Sequence, residues 1–364
     1  MNERPRRLAL WIAPAVVIVL VAIVALVVRR DDPKPGAAGP ASSAGSSPAG
    51  GGPSALPLGS VGDAPVPEQG KGTGCPASFE CRGVRVTCPK VSQSIDAVVA
   101  VAPSSKPKPS GLVLFLSGGA GTKLWSGTER VDPYFTTLGN DGLEVVQIQW
   151  GGEGWLASAP GEQVGPAVLA CRSATVIKWA YDTLYTPMGL PAHSDGICGF
   201  CVTGNSAGAS QTSYAMTHYG LETIVDHAVL TSGPPHAALG RGCLGRPGDD
   251  AFAYDGGAVG LIDLSYGARD NGPCHRHDAS FADQFARDSA DGSQGNYTLT
   301  HAFVTFIFGD ADPSVAPIHA DALVKVITPL NPGRVTVVHV PKQPHEITES
   351  PDGLAALRKV LTGR

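Results

Sequence analysis

The sequence predicts an α/β fold with a mostly parallel central sheet and helices on both faces of that sheet. Continuous apolar runs, such as residues 111–117 (GLVLFLS), are typical of strands that are buried on both faces. Segments with helical periodicity alternate with these runs, which is the pattern of parallel strands joined by helices. Glycine-rich turns follow two of the runs, at 117–121 and at 204–208.

The elements follow one another in an order that leaves room for a helix between most strands. The predicted strands are residues 84–87, 95–101, 111–117, 143–150, 197–203, 224–231, 302–308 and 335–340. The predicted helices are residues 134–138, 164–184, 207–219, 316–327 and 353–361. We find no internal repeat.

Composition excludes one broad class of function. Of the 364 residues, 16% are charged and the formal net charge is -5, which leaves no extended basic surface for nucleic acid. The hydrophobic content of 43% is sufficient for a buried core. We therefore expect no nucleic-acid partner.

The N-terminal region predicts a membrane anchor. Residues 8–28 form a run of 21 uncharged, mostly aliphatic residues, long enough for a helix across a hydrocarbon core of about 30 Å. A cleaved signal peptide is the alternative, but its apolar region would be only about 7–15 residues long and would precede a small-residue cleavage site. The prediction is a cytoplasmic tail at 1–7 and a transmembrane signal-anchor at 8–28.

The cysteines predict the side of the membrane on which the remaining chain lies. All of them follow the apolar run, and an even set is typical of disulfides in an oxidising compartment. A single-pass topology with a cytoplasmic N-terminus and an extracytoplasmic domain is therefore expected. The eight residues are Cys75, Cys81, Cys88, Cys171, Cys198, Cys201, Cys243 and Cys274.

Two segments follow the anchor, and the second of them contains an insertion. Residues 31–74 are rich in Gly, Pro, Ala and Ser and predict a disordered linker. The folded domain is predicted at 75–364. Within it, residues 232–300 lose apolar periodicity and predict a loop-rich cap insertion above the carboxyl edge of the sheet, where Cys243 and Cys274 could form a staple.

The chemistry centres on the G-x-S-x-G pentapeptide at 204–208, GNSAG. An apolar run precedes it and a helical pattern follows it, as in a nucleophile elbow, where a sharp strand-to-helix turn exposes the serine hydroxyl. Only small residues fit two positions either side of the serine in such a turn. The pattern makes Ser206 a candidate nucleophile and places the N–H of Ala207 where it can face a developing oxyanion.

A serine nucleophile needs a base and a group that orients the base, and both candidates follow predicted strands. The strand at 302–308 is followed by Asp310 and Asp312, and the strand at 335–340 is followed by His345. His339 is a weaker candidate because it lies inside a strand. Because the carboxyl ends of parallel strands share one edge, these groups are expected to meet there.

These motifs resemble those of the α/β-hydrolase-fold serine hydrolase superfamily, over about residues 84–361. The shared features are GNSAG, a strand followed by G-x-x-D, a strand followed by His, and the chain order Ser, Asp, His. The loop SGGAG at 117–121 resembles the loop that donates the second oxyanion N–H, although a serine stands where many relatives carry histidine.

The resemblance implies a role for each matching residue. Asp312 matches the acid of the G-x-x-D motif, with Asp310 as the alternative. The implied catalytic residues are Ser206, Asp312 and His345, and the implied oxyanion donors are Ala207 and one of Gly118, Gly119 and Ala120. No cofactor and no metal is implied.

Three further features leave alternatives open. Residues three apart on a strand point to opposite faces, so Cys198 and Cys201 are expected to pair elsewhere, for example with Cys171, rather than as a redox pair. The stretch CHRHD at 274–278 has metal-binding residue types, but it lacks a second ligand set and is interpreted as a tethered loop. Tryptophans after predicted strands line a pocket or pack loops; they are Trp125, Trp150 and Trp155.

The functional hypothesis is a membrane-tethered, extracytoplasmic serine hydrolase that cleaves a carboxylic ester of a small molecule, lipid or polymer. Two alternatives remain. An acyltransferase that acts on cell-envelope alcohols would use the same site, and a surface binding module would use the scaffold without catalysis.

Overall fold

Residues 54–66, 75–191 and 196–364 are described by a computed structural model. The predicted tail at 1–7, the predicted anchor at 8–28 and most of the predicted linker lie outside these residues. Within the described part of the chain, no helix combines the length and the apolar character needed to cross a membrane.

The described strands form one sheet in the order β1-β2-β3-β5-β4-β6-β7-β8-β9. The first three neighbouring pairs, from β1 to β5, are antiparallel, and the remaining five pairs are parallel. The prediction of a mostly parallel sheet is confirmed. The strands are β1 (Ser60–Ala64), β2 (Glu80–Thr87), β3 (Ile95–Ala102), β4 (Gly111–Leu116), β5 (Leu143–Trp150), β6 (Phe200–Asn205), β7 (His227–Thr231), β8 (Phe303–Gly309) and β9 (Val335–Val340).

The described α-helices lie between and after these strands. They are α1 (Val131–Asp141), α2 (Pro166–Leu169), α3 (Cys171–Ala180), α4 (Ala207–Thr217), α5 (Leu239–Cys243), α6 (Gly256–Ser265), α7 (Ala282–Asp288), α8 (Ala316–Ile327) and α9 (Pro351–Thr362). The long helix predicted at 164–184 is divided into α2, α3 and a π-helical turn at Tyr181–Tyr185.

Helices cover both faces of the sheet, as the sequence predicts. All six residues of β4 are buried, and alternate residues point to opposite faces. Val113 and Phe115 belong to a core cluster with residues of α1 and α9. Leu114 and Leu116 belong to a second cluster with residues of α3, α4 and α8. The continuous apolar run of β4 is therefore explained by burial on both sides.

The prediction of a disordered linker at 31–74 is wrong for residues 54–66. Strand β1 lies in this stretch and pairs antiparallel with β2. The backbone N–H of Leu56 donates to the carbonyl of His218 at 2.7 Å, and that of Gly59 donates to Thr175 Oγ1 at 2.8 Å. Main-chain hydrogen bonds to an edge strand need no large apolar side chains, so the composition of this stretch did not reveal the strand.

The expectation that Cys198 and Cys201 pair elsewhere is also wrong, because they form a disulfide with each other. Strand β6 begins only at Phe200, so Cys198 precedes it and the alternation of an extended strand does not apply to the pair. The Cα atoms of the pair are 5.5 Å apart. Cys171 is bonded to Cys88 instead. The eight cysteines form four disulfides, the other two being Cys75–Cys81 and Cys243–Cys274.

The segment 232–300, which connects β7 to β8, has its own small core. Helices α5, α6 and α7 lie in it, so it is more helical than the sequence predicts. Leu239, Ile262 and Phe285 form part of its buried cluster. The Cys243–Cys274 disulfide staples the segment, as predicted. The interpretation of this segment as a cap stays a prediction.

Removal of the Cys88–Cys171 disulfide is expected to destabilise the protein more than removal of Cys75–Cys81. The two bridges span 83 and 6 residues of sequence, respectively. In the chain-entropy description the stabilisation grows with the logarithm of loop length, and these loops differ by about 2 kcal/mol. Urea unfolding of the full-length double Cys→Ala variants measures this difference, and equal losses of unfolding free energy would contradict it.

Candidate active site

Ser206 occupies a sharp turn between β6 and α4. Its backbone angles are φ 54° and ψ −121°, outside the ordinary regions for a residue with a side chain. A Cβ at Gly204 would lie 2.2 Å from the backbone of Gly208, and a Cβ at Gly208 would lie 2.1 Å from the carbonyl oxygen of Leu116. The small residues of the motif are therefore required by the packing of strand, turn and helix, as the elbow interpretation predicts.

The loop after β8 and the loop after β9 bring an acid and a base together. His345 Nδ1 lies 2.8 Å from Asp312 Oδ2, and the Asp312 side chain is fully buried. The other candidate acid, Asp310, pairs with His339 at 3.0 Å, and both of those side chains are exposed. Of the two aspartates, Asp312 is therefore the one that contacts His345.

Ser314 is a third member of this arrangement that the sequence analysis did not identify. Its Oγ lies 3.0 Å from His345 Nδ1, and its backbone N–H donates to Asp312 Oδ1 at 2.8 Å. The short spacing from Asp312 to Ser314, in a turn after a strand, is the sequence signal that could have revealed it.

The pKa values of the pair follow from their contacts. Burial lowers the pKa of His345, but the hydrogen bond to Asp312 and the charges of Asp312 and two nearby glutamates raise it, and the net pKa lies above its ordinary value. Burial raises the pKa of Asp312, but hydrogen bonds from His345 and Ser314 lower it more, and the net pKa is below its ordinary value. Asp312 is therefore an ionised carboxylate, and it lies beside His345, an imidazole that readily accepts a proton.

Asn205, directly before Ser206, links the elbow to the loop that carries His345. Its Nδ2 donates to Glu346 Oε2 at 3.0 Å, and its Oδ1 accepts from Ile347 N at 3.2 Å. The same Oδ1 accepts from Thr231 Oγ1 at 2.9 Å. This role of Asn205 was not predicted from the sequence, where its only signal is the amide side chain inside GNSAG.

The loop SGGAG lies against the elbow. A Cβ at Gly118 would be 3.2 Å from Ser206 Cβ, so this loop and the elbow are in close contact. Trp155 fixes the loop, because its Nε1 donates to the carbonyl of Gly119 at 3.1 Å and its backbone N–H donates to the carbonyl of Ala120 at 3.0 Å.

Two cavities flank these loops. The smaller one, of about 230 Å³, is lined by Ser206, Ala207, Gly119 and His345 together with residues of the 232–300 segment. The larger one, of about 470 Å³, is lined by Gly118, Gly119 and Ala120 and by polar residues that include Lys123, Asn205 and Glu346. The structure thus brings the predicted nucleophile, base and oxyanion loop to one place, and it leaves Asp310 and His339 outside both linings.

The remaining sequence features have structural explanations. Trp150 is buried and its Nε1 donates to Gln211 Oε1 at 2.8 Å, and Trp155 packs the SGGAG loop, whereas Trp125 lines the larger cavity. Cys274 is bonded to Cys243 and is therefore not a metal ligand. Within residues 54–66, 75–191 and 196–364, no group of three or more His, Cys, Asp or Glu side chains is arranged to hold a metal ion.

The parallel sheet, the strained serine between β6 and α4, and the Asp–His pair at the ends of β8 and β9 define an α/β-hydrolase fold. The fold expected from the sequence is confirmed.

Solved structures with this fold are similar to the chain. A puromycin-hydrolysing peptidase of Mycobacterium tuberculosis has a TM-score of 0.50 and 14% identity, over 77% of this chain and 38% of that one. A puromycin hydrolase has a TM-score of 0.51 and 14% identity, with the same coverage of 77% and 38%. An esterase of Pyrobaculum calidifontis has a TM-score of 0.47 and 16% identity, over 77% and 83%.

The chain spans less than half the length of the two puromycin-hydrolysing enzymes. At these identities the likeness shows the fold. No protein-family model matches the chain, and no curated protein matches it.

The Asp312→Asn variant is expected to lower the pKa of His345. In the native protein the carboxylate favours the protonated imidazole, and the amide removes that charge. Titration of the histidine ring protons by NMR measures the change, with the His345 signal assigned from its loss in His345→Gln. Asp310→Asn is the matched control, since Asp310 contacts His339, and an equal shift of His345 in that variant would contradict the pairing.

Proposed function

We propose that the chain is a serine hydrolase in which Ser206 is the nucleophile, His345 the general base and Asp312 the residue that orients the base. The observation that carries the proposal is the 2.8 Å contact between His345 and Asp312 at the cavity that Ser206 lines. The buried carboxylate holds Nδ1 protonated, so Nε2 is free to accept a proton.

The proposed reaction has two halves. His345 Nε2 takes the Ser206 hydroxyl proton as Oγ attacks the substrate carbonyl carbon, and the carbonyl oxygen becomes an oxyanion. The N–H of Ala207 and an N–H of the SGGAG loop, from Gly118, Gly119 or Ala120, stabilise that charge. His345 then protonates the leaving alcohol, and an acyl-enzyme remains. A water molecule then attacks the acyl carbon while His345 takes one of its protons, and His345 returns that proton to Ser206 Oγ as the acid is released.

A carboxylic ester is the proposed substrate. An alcohol leaves an acyl group more readily than an amine does, so an ester makes the smaller demand on a single general acid. Transfer of the acyl group to another alcohol would use the same acyl-enzyme, with that alcohol in place of water. We propose hydrolysis, and the experiment below varies the acceptor of the acyl group, which is either water or an added alcohol.

The proposed location is extracytoplasmic, with the N-terminal segment as a membrane tether. The four disulfides support an oxidising compartment, since such bonds are rare where thiols are kept reduced. The tether is supported by the uncharged run at 8–28 and by its length.

Ser206→Ala is expected to lower ester turnover by about 10⁴- to 10⁶-fold and to abolish labelling by a fluorophosphonate probe, because the alanine has no nucleophile. Asp312→Asn should cost about 10⁴-fold in kcat, and Asp310→Asn should have little effect. A panel of short- to long-chain esters gives the rates. Labelling that persists in Ser206→Ala would overturn the assignment.

Two further outcomes separate the alternatives. Turnover that rises with added alcohol rather than with water alone would identify an acyltransferase. A folded protein without turnover on any ester would identify a binding module.

The pH profile provides a second check on the base. Because the pKa of His345 is raised, kcat/KM should increase with pH through a value above the ordinary 6.5 and then reach a plateau. In Asp312→Asn the inflection should move to lower pH. An inflection that is the same in both proteins would show that another group titrates.

Full-length protein is expected to remain in the membrane pellet after a high-salt wash, and a variant without residues 2–53 is expected to be soluble, because the apolar run anchors the chain. A variant that lacks only residues 31–53 is the control and should stay in the pellet. Recovery of a soluble native protein whose N-terminus lies beyond residue 28 would show a cleaved signal peptide instead.

A further inference from the structure

His236 lies in the wall of the smaller cavity, beside Ser206 and His345. It follows β7 and is only 2% exposed. Its ring packs against Trp155, with the ring centroids 5.9 Å apart. Because Trp155 also fixes the SGGAG loop, the imidazole of His236 is held in place by the same residue that positions the oxyanion loop.

The imidazole of His236 has an unused hydrogen-bonding capacity. Nδ1 is buried and has no hydrogen-bond partner within the described residues, and the hydrogen bonds of this residue involve only its backbone. Burial, with a smaller contribution from His319, lowers its pKa to about 3. The ring is therefore neutral at physiological pH and offers one N–H donor and one acceptor nitrogen.

The neighbouring polar groups of the wall have partners. Tyr254 OH donates to the carbonyl of Pro235 at 2.7 Å and lies 3.2 Å from His319 Nδ1. Asp255 Oδ1 accepts from the backbone N–H of Ala258 at 2.8 Å, as the N-cap of α6. Among these groups the imidazole of His236 stands out, since a buried polar atom without a partner is costly and is often part of a site.

We propose that His236 is a specificity-determining residue that hydrogen-bonds a hydroxyl group on the part of the substrate entering the cavity beside Ser206. A hydroxyl both donates and accepts, so it can pair with either tautomer of a neutral imidazole. A charged group would find no opposite charge on this ring. The inference rests on the proposed hydrolase function and names its substrate class.

The cavity is small, so only a short part of the substrate lies inside it. Its volume of about 230 Å³ is below the ~300–1,000 Å³ of pockets that enclose drug-sized ligands. The substrate class is therefore an ester with a short, hydroxylated chain in this cavity. The hydroxyl can belong to the acyl chain or to the alcohol, and the chemistry recognised by His236 is the same in both cases.

Two pairs of esters test the proposal and distinguish the two sources. The acyl pair is 4-nitrophenyl butyrate and 4-nitrophenyl 3-hydroxybutyrate, and the alcohol pair is ethyl butyrate and 2-hydroxyethyl butyrate. We expect full-length protein to show a kcat/KM about 10- to 100-fold higher for the hydroxylated member of one pair, because only that member can hydrogen-bond the imidazole of His236. The pair that discriminates identifies the part of the substrate that carries the hydroxyl.

Two variants test whether the preference for the hydroxylated ester depends on His236. His236→Phe keeps an aromatic ring against Trp155 but removes both nitrogens, and it should reduce the preference to about one, mainly by slowing the hydroxylated ester. His236→Asn keeps a polar side chain that can both donate and accept a hydrogen bond, and it should retain part of the preference. A preference unchanged in a folded His236→Phe protein would overturn the assignment.

The wild-type comparison decides the proposal even if the phenylalanine variant does not fold. Similar rates for both members of both pairs would overturn the role of His236 and leave the hydrolase function intact. No turnover of any ester together with no fluorophosphonate labelling of Ser206 would overturn both.

Discussion

The close packing of the turn between β6 and α4 is the constraint on which the site depends. Gly204 and Gly208 allow the helix to approach the strands at distances that a side chain would prevent, and this approach leaves Ser206 with a positive φ. Such a conformation costs on the order of 1–3 kcal/mol and persists only where the surroundings enforce it. Here they do, because every residue of α4 is buried. The serine is thus held by the core of the protein rather than by a surface loop.

The parallel arrangement gathers the other groups around this serine. The ends of β4, β6, β8 and β9 supply the SGGAG loop, the elbow, the acid and the base, respectively. Asn205 joins two of these loops directly, since its side chain contacts Glu346 and Ile347. The loop that carries the proposed base is therefore linked to the turn that carries the proposed nucleophile, although 139 positions separate Ser206 from His345 in the sequence.

Sequence patterns were sufficient for eight of the nine described strands and for the order of the candidate site residues, because buried strands produce apolar runs and the groups follow those runs. They were insufficient where a prediction depends on the residue at which an element begins or on which side chains are in contact. Asp312 and Asp310 are two positions apart and face different histidines. The bridge between Cys198 and Cys201 depends on where β6 begins. The imidazole of His236 is distinguished by a nitrogen without a hydrogen-bond partner in the described part of the chain, which no sequence pattern indicates.

Strand β1 has a practical consequence for the isolation of the protein. β1 pairs with the outer edge of β2. Without it, the unpaired backbone N–H and C=O groups of β2 would form an exposed sheet edge that favours pairing with other chains. A fragment cut at Cys75, where the composition changes, would lose this cover, the hydrogen bond from Leu56 to His218 after α4, and the hydrogen bond from Gly59 to α3. We therefore expect the shortest stably folded fragment to start upstream of Leu56. Part of the stretch that the composition predicts to be a linker belongs to the folded domain.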